Sequence, residues 1–397
     1  MAPLPTIEEA LLEILSRVQP LSTELVSLAV AFGRVLAEDA RSAIDLPPFA
    51  SSAMDGFAVR ADDTPGRLPV VERIAAGRPA MRGLAAGEAM AIATGGVVPD
   101  GADAVVPIEH VVEDGDAIEV ANRLERGAHV RPRGGDLAAG DLVVRAGTPV
   151  RPAELGALAA AGVGDAVCAR RPRAAVVSTG TELRRPGESL EPGQIFEANG
   201  VMLAAALASA GAVVTPPESA ADDEADHRSA LERGLEADVL VTSGGVSVGP
   251  HDLVRRIEAE LGVEEVFWKV AVKPGKPISF GVHDGTLVFG LPGNPVSSLV
   301  CFELFVRPAV LALQGAREPG PAFAPGELAA AVRRNPERDE FLRARLRADG
   351  EHVLLEPLTG QESHMIARAA AADALVLAPR GDGELAAGTT VRYLPLR

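Results

Sequence analysis

The chain carries only three lysines, and all of them, Lys269, Lys273 and Lys276, fall within eight residues of the segment FWKVAVKPGKPISFG. Every other fixed side-chain cation is arginine. An ammonium is a compact point charge on a flexible stem and a guanidinium is a planar fork, so the two are not equivalent where an anion is gripped. Chance survival in an arginine-biased composition would scatter the three. Their clustering points to an anion or phosphate pocket at 269–276. The single tryptophan, Trp268, lies in the same segment.

Three glycine loops carry the matching donors. STGTEL offers Ser178, Thr179 and Gly180; SGGVSVG offers Ser243, Gly244, Gly245 and Ser247; LPGNPVSS offers Pro292, Gly293, Asn294 and Pro295. Each follows an apolar run that reads as a strand. Glycine lets backbone N–H groups approach a ligand, and a following helix N-terminus favours an anion. Asn294 and Pro295 suit the N-cap and first position of a helix. One such loop is an ordinary turn; three at equivalent places, with the lysines entering from a fourth segment, suggest a site. Glu182 ends the first loop and Asp252 follows the second. Carboxylates beside phosphate loops commonly hold Mg²⁺, which keeps waters and takes one or two protein oxygens. Asp252 would equally serve as a first-turn helix acid, whereas no helical pattern follows Glu182.

A β-rich region contributes Asp55 in SSAMDGFAV, Thr94 in ATGGVVPDGADAVV, and Arg131, Arg133 and Asp136 in RPRGGD. Asp-Gly turns and Arg–Asp surface pairs are common, so spacing alone makes no site of these.

The elements that must position these groups follow from the pattern. Residues 6–38 read as helical, with Thr6 as N-cap. From about 45 to 150 short Val- and Ile-rich runs broken by Gly, Pro and Asp predict strands. TPVRPAELGALAAAGVG reads as strand, turn and helix, with Pro152 near the first helical position. From Arg173 to about Gly315 strands alternate with helices, which predicts a mostly parallel sheet covered on both faces. Ligands bind such sheets at the carboxyl ends of the strands, where the three loops fall. After the linker GAREPGPAFAPG, residues 325–397 return to short β-like runs.

At 397 residues the chain predicts several domains. A net charge of −17 argues against nucleic acid and against adhesion to an anionic membrane, so an anionic ligand needs a local cationic site. Cys168 and Cys301 sit in apolar runs and read as buried thiols. The acidic amphipathic N-terminus is not a signal peptide, and the apolar run 201–214 is too short to cross a bilayer. A soluble cytoplasmic protein is expected.

Together the strings PPFASSAMDGFAV, ATGGVVPDGADAVV, RPRGGD, VVSTGTEL, GQIFEANG, TSGGVSVGPHD, FWKVAVKPGKP and GLPGNPVSS resemble the molybdopterin molybdenumtransferase family, to which the gephyrin E-domain is similar. The resemblance implies four parts. Residues 1–44 and 141–172 form an elongated helical domain that dimerises, and 45–140 form an inserted β-rich domain. Residues 173–318 form the doubly wound α/β molybdopterin-binding domain, and 319–397 a small C-terminal β-barrel. It further implies a homodimer whose site lies between the α/β domain of one subunit and the inserted domain of the other. The implied reaction inserts molybdate into adenylylated molybdopterin with Mg²⁺ or a similar divalent ion, releasing AMP.

By position, Asp55, Glu182, Lys269 and Lys273 match catalytic residues of the family, with Glu182 and Asp252 toward metal or nucleotide. Thr94, Asp136, Ser178, Thr179, Gly180, Ser243, Gly244, Gly245, Ser247, Asp252, Pro292, Gly293, Asn294, Pro295, Arg343 and Ser363 match binding positions, with Asp222 a weaker match. Lys276, held between Gly275 and Pro277, reads as shaping the turn. Partners implied are a molybdopterin adenylyltransferase and the molybdoenzymes that receive the product. The competing readings are an adenylyltransferase, which the inserted domain and barrel disfavour, and a non-enzymatic scaffold, which would not require Lys269, Lys273 or Glu182.

Overall fold

The computed structural model describes residues 4–220, 223–245, 253–350 and 352–396. Asp222, Ser247 and Asp252 lie outside the described residues.

The first helix, Ile7–Ser16, starts as the sequence predicts. The Glu9 N–H donates to Thr6 Oγ1 at 3.1 Å and the Glu9 carboxylate accepts from the Thr6 N–H at 2.8 Å, a reciprocal cap. The expected helix over 6–38 ends there. Pro20 cannot donate to a continuing helix and pushes Gln19 toward extended backbone. Thr23–Ser27 is instead a strand, antiparallel to Asp165–Ala169, and Ala40–Arg41 pairs with Leu142–Val144. Partner strands more than a hundred residues away override the local pattern. Helix Pro152–Ala160 has its proline at the start as expected, and Leu158 packs with Val26, Leu36, Val150 and Cys168. Ala10 and Ile14 of the first helix join another core, that of the α/β unit.

The inserted region forms a six-stranded sheet in the order Ala104–Pro107, Gly56–Val59, Ala89–Ile92, Gly66–Ile74, Ala117–Val120, Val111–Asp114. Its strands bury both faces: Phe57 and Val59 enter one cluster and Ala58 the other, the two-residue alternation of a strand.

The central sheet runs Val213–Val214, Arg173–Thr179, Val239–Ser243, Thr286–Leu291, Ser279–His283, Glu264–Trp268. The first four strands are parallel, and only Ser279–His283 runs against the rest. Ala174 and Val176 face Leu203, Leu207 and Val300, while Ala175 and Val177 face Leu231 and Ile257. Helices therefore cover both faces, and the strands read as continuous apolar runs because neither face meets water. Among the described residues one helical stretch, Pro295–Leu313, is long and apolar enough to span a bilayer. In the fold 78% of its apolar window is buried, as in a core helix.

At the C-terminus five strands close on themselves. Asp339–Asp349 pairs with both His352–Pro357 and Ala374–Ala378, and Ala324–Leu328 and Thr390–Pro395 complete the circuit. Val272–Lys273 of the lysine segment adds to the outside of this barrel, parallel to Asp339–Glu340.

Candidate active site

Three neighbouring parallel strands deliver the three loops to one edge of the sheet. Ser178 is in register with Ser243, and Ser243 with Leu291. The loops touch: Thr179 Oγ1 lies 3.5 Å from Ser243 O, and the Gly244 N–H donates to Leu291 O at 3.2 Å. Gly244 has a φ of 94°, and a Cβ there would sit 2.7 Å from Thr179 O, so the close approach requires glycine.

Two residues that the sequence reading did not single out tie the loops together. Asn199, the first residue of helix Asn199–Ser209, donates from Nδ2 to Ser243 Oγ at 2.8 Å and to Gly293 O at 2.7 Å. Glu197 is buried and accepts from Ser178 Oγ at 2.9 Å and from the Gly200 N–H at 2.6 Å. Both belong to GQIFEANG, one of the strings that carry the family resemblance, within which neither residue was matched to a site position. Asn199 thereby connects the second and third loops, and Glu197 fixes the first to the same helix start.

Pro295 opens helix Pro295–Cys301 and Asn294 occupies its N-cap, but the Asn294 side chain makes no cap. Its Nδ2 donates to Ser363 Oγ at 3.0 Å, and the Val296 N–H donates to Ser363 O at 3.0 Å. Ser363 of the C-terminal unit is thus seated against the third loop. Arg343, matched to a binding position by the resemblance, lies buried behind the loop that carries Ser363. Only 1% exposed, it donates to Met365 O at 2.6 Å, Gly360 O at 2.8 Å and Glu362 O at 3.1 Å. A guanidinium whose N–H groups already meet three carbonyls holds the loop that presents Ser363.

The lysines divide. Lys269 follows the strand Glu264–Trp268, which runs in the same direction as the loop-bearing strands, so Lys269 leaves the sheet at their carboxyl edge. Two strand spacings, about 10 Å, separate that strand from the one carrying Gly293. Lys273 Nζ is 2.9 Å from Glu340 Oε1 of the barrel. Lys276 is exposed, and its carbonyl accepts from the Val270 N–H at 3.1 Å, closing the turn it was expected to shape.

In the inserted domain the three strings converge. Ser52 and Gly95 or Gly96 exchange backbone hydrogen bonds at 2.9 Å, and Arg131 pairs with Ser51. Asp55 Oδ1 accepts from the Thr94 N–H at 2.7 Å and from Thr94 Oγ1 at 3.0 Å. The amide and then the hydroxyl of Thr94 hold the Asp55 carboxyl below the usual aspartate range. Asp136 is exposed, and its N–H donates to Leu46 O at 2.9 Å. Asp55, Thr94 and Asp136 therefore find these partners within 45–140, not among the sheet loops.

Residues 5–162 match the MoeA N-terminal region (domain I and II), 175–312 the probable molybdopterin binding domain, and 325–396 the MoeA C-terminal region (domain IV). A molybdopterin molybdenumtransferase 2 of Mycobacterium tuberculosis is 40% identical over 386 residues, spanning 94% of either chain. The chain belongs to the molybdopterin molybdenumtransferase family. A second family relative, from Haemophilus influenzae, is 36% identical over 318 residues, 79% of this chain and 78% of that one. The crystal structure of a molybdopterin biosynthesis MoeA protein from Pyrococcus horikoshii superposes with a TM-score of 0.84 at 29% identity, covering 99% of this chain and 100% of that one. Within the family fold, the loops and Lys269 described above lie at one edge of the molybdopterin binding domain, and Ser363 of the C-terminal region is seated against them.

Proposed function

We propose that this chain inserts molybdate into adenylylated molybdopterin with release of AMP, yielding molybdenum cofactor, as a cytoplasmic homodimer. The observation that carries the reading is the set of three glycine loops at one sheet edge, tied by Asn199 and flanked by Lys269.

Each residue has work that its chemistry permits. The backbone N–H groups of the glycine loops would cradle the phosphates. Lys269 would meet the oxyanion of molybdate or phosphate, and Lys273 would stand beside it. Asp55, its carboxyl held low by Thr94, is an ionised group at neutral pH. It can orient or accept a proton from water but makes a poor proton donor. Asp55, with Thr94 and Asp136, would reach the sheet loops of a partner subunit, completing two sites per dimer.

Mg²⁺ fits the donors that are present. Glu182 folds its carboxylate over the first loop, where a Cβ on Gly180 would fall 2.6 Å from Oε2. One carboxylate beside a phosphate loop suits an ion that prefers water and phosphate oxygens, and Asp252 would be the second ligand. The ion would neutralise phosphate charge as the bond to AMP breaks. An adenylyltransferase would supply the substrate and molybdoenzymes would take the product.

Glu182→Gln, Lys269→Met and Lys273→Met are expected to lower cofactor formation by roughly 100-fold each, the scale of losing a transition-state charge contact. Thermal unfolding and dimer mass should not change. Full activity in all three folded variants would overturn the reading.

A further inference from the structure

Trp268 has no part in the reading above. It ends its strand, and in an extended strand successive side chains point to opposite faces, so residue 269 should face away from it. Lys269 instead has a φ of 79°, a left-handed conformation uncommon outside glycine. Its N–H donates to Ile278 O at 2.8 Å. The resulting fold-back sets Lys269 Nζ 3.5 Å from the centroid of the Trp268 ring. A second cation, Arg255, has its Cζ 4.2 Å from the same centroid. Arg255 is itself fixed by Glu265, with Nε to Oε2 at 2.8 Å and Nη2 to Oε1 at 2.9 Å. Trp268 Nε1 is buried and without a hydrogen-bond partner among the described residues, so the ring serves through its face and not through its N–H.

We propose that Trp268 is a positioning residue for Lys269. Its indole face holds the ammonium at the loop edge of the sheet, where the arriving anion meets it while the ring contact is kept. An ammonium on a flexible four-carbon stem loses orientation without such a hold, and an aromatic face attracts it electrostatically. The strained backbone at Lys269 is what makes the contact between adjacent residues reachable. This inference rests on the reading that Lys269 meets the anion.

Because Trp268 is the only tryptophan, the intact protein reports on the contact through its own emission. Sodium molybdate titrated into the wild-type protein is expected to give a saturable change in tryptophan fluorescence that Lys269→Met abolishes. In steady-state assays Trp268→Leu is expected to raise the KM for molybdate roughly 3- to 30-fold, the scale of a cation–π contact. Its kcat should stay within about twofold, and Trp268→Phe, which keeps an aromatic face, should recover most of the loss. A silent wild-type titration would overturn the proposal, and so would an equal KM rise in the Phe and Leu variants, which would mean lost packing. If Trp268→Leu fails to fold, the wild-type titration and Trp268→Phe still decide. A fully active Lys269→Met would instead remove the anion role of Lys269 itself, a different failure from an unchanged KM in Trp268→Leu.

Discussion

Lys273 Nζ lies 2.9 Å from Glu340 Oε1, an ion pair that crosses from the α/β unit to the C-terminal barrel. The backbones pair as well, with Lys273 in parallel register with Glu340. The barrel is therefore joined to the lysine segment by a strand and a charge, and through Ser363 it meets the third loop. Glu340 had no sequence signal, being one acid among many in an acidic chain. With the Lys273 side chain 44% exposed, the pair contributes little stability, about 1 kcal/mol at most. Glu340→Gln is expected to leave the unfolding midpoint nearly unchanged and to lower turnover about tenfold, because a freed lysine stem loses its orientation. Lys273→Arg should keep the pair without restoring rate. Wild-type turnover in Glu340→Gln would remove Glu340 from the account.

Asn199 is the tie between two loops, and its two hydrogen bonds are worth about 1 kcal/mol each in stability. Asn199→Ala should lower stability by roughly 2 kcal/mol in urea unfolding and raise KM for the nucleotide substrate more than it lowers kcat. An unchanged KM would mean that the loops hold their shape without it.

Arg343 separates a support from a ligand contact. Arg343→Leu takes the guanidinium from three loop carbonyls and leaves Gly360 O without its donor, and a loss of roughly 2 kcal/mol is expected. Lysine at 343 should not rescue it, since one ammonium cannot reproduce the fork. A variant of wild-type stability with a raised KM would restore Arg343 to the binding residues.

The pH behaviour of Asp55 follows from Thr94. Its folded pKa lies below the ordinary value, so the carboxylate is favoured above that value and the favour is lost as pH falls through the folded pKa. Thr94→Val removes the hydroxyl donor and keeps the amide. The Asp55 pKa, read by carboxyl carbon NMR, should rise partway toward the ordinary range. No rise would show that the amide alone sets it.

The proposed two-subunit site makes its own demand. Asp55→Asn and Lys269→Met should each be inactive alone, and an equal mixture exchanged as dimers should recover about a quarter of wild-type activity. Recovery of nothing from verified mixed dimers would place the whole site within one subunit.

Much of the fold was legible because it is written locally. The Thr6 cap, Pro152, the glycine loops and the apolar strands of the sheet are set by nearest neighbours, and each stands where the pattern puts it. The failures came from distant partners. Residues 23–27 became a strand because 165–169 lay across from them, and Asn294 gave up its cap for Ser363. The carbonyls that Arg343 meets could not be read from FLRARL, because they lie 17 to 22 residues away. The roles of Glu197 and Asn199 within GQIFEANG were missed because a residue that joins loops has no spacing signature of its own.

The central claim turns on substrate. Purified protein given adenylylated molybdopterin and molybdate should release AMP in step with formation of metal-loaded cofactor, and should release none when given molybdopterin and ATP. Turnover with molybdopterin and ATP alone, and none with the adenylylated substrate and molybdate, would contradict the account.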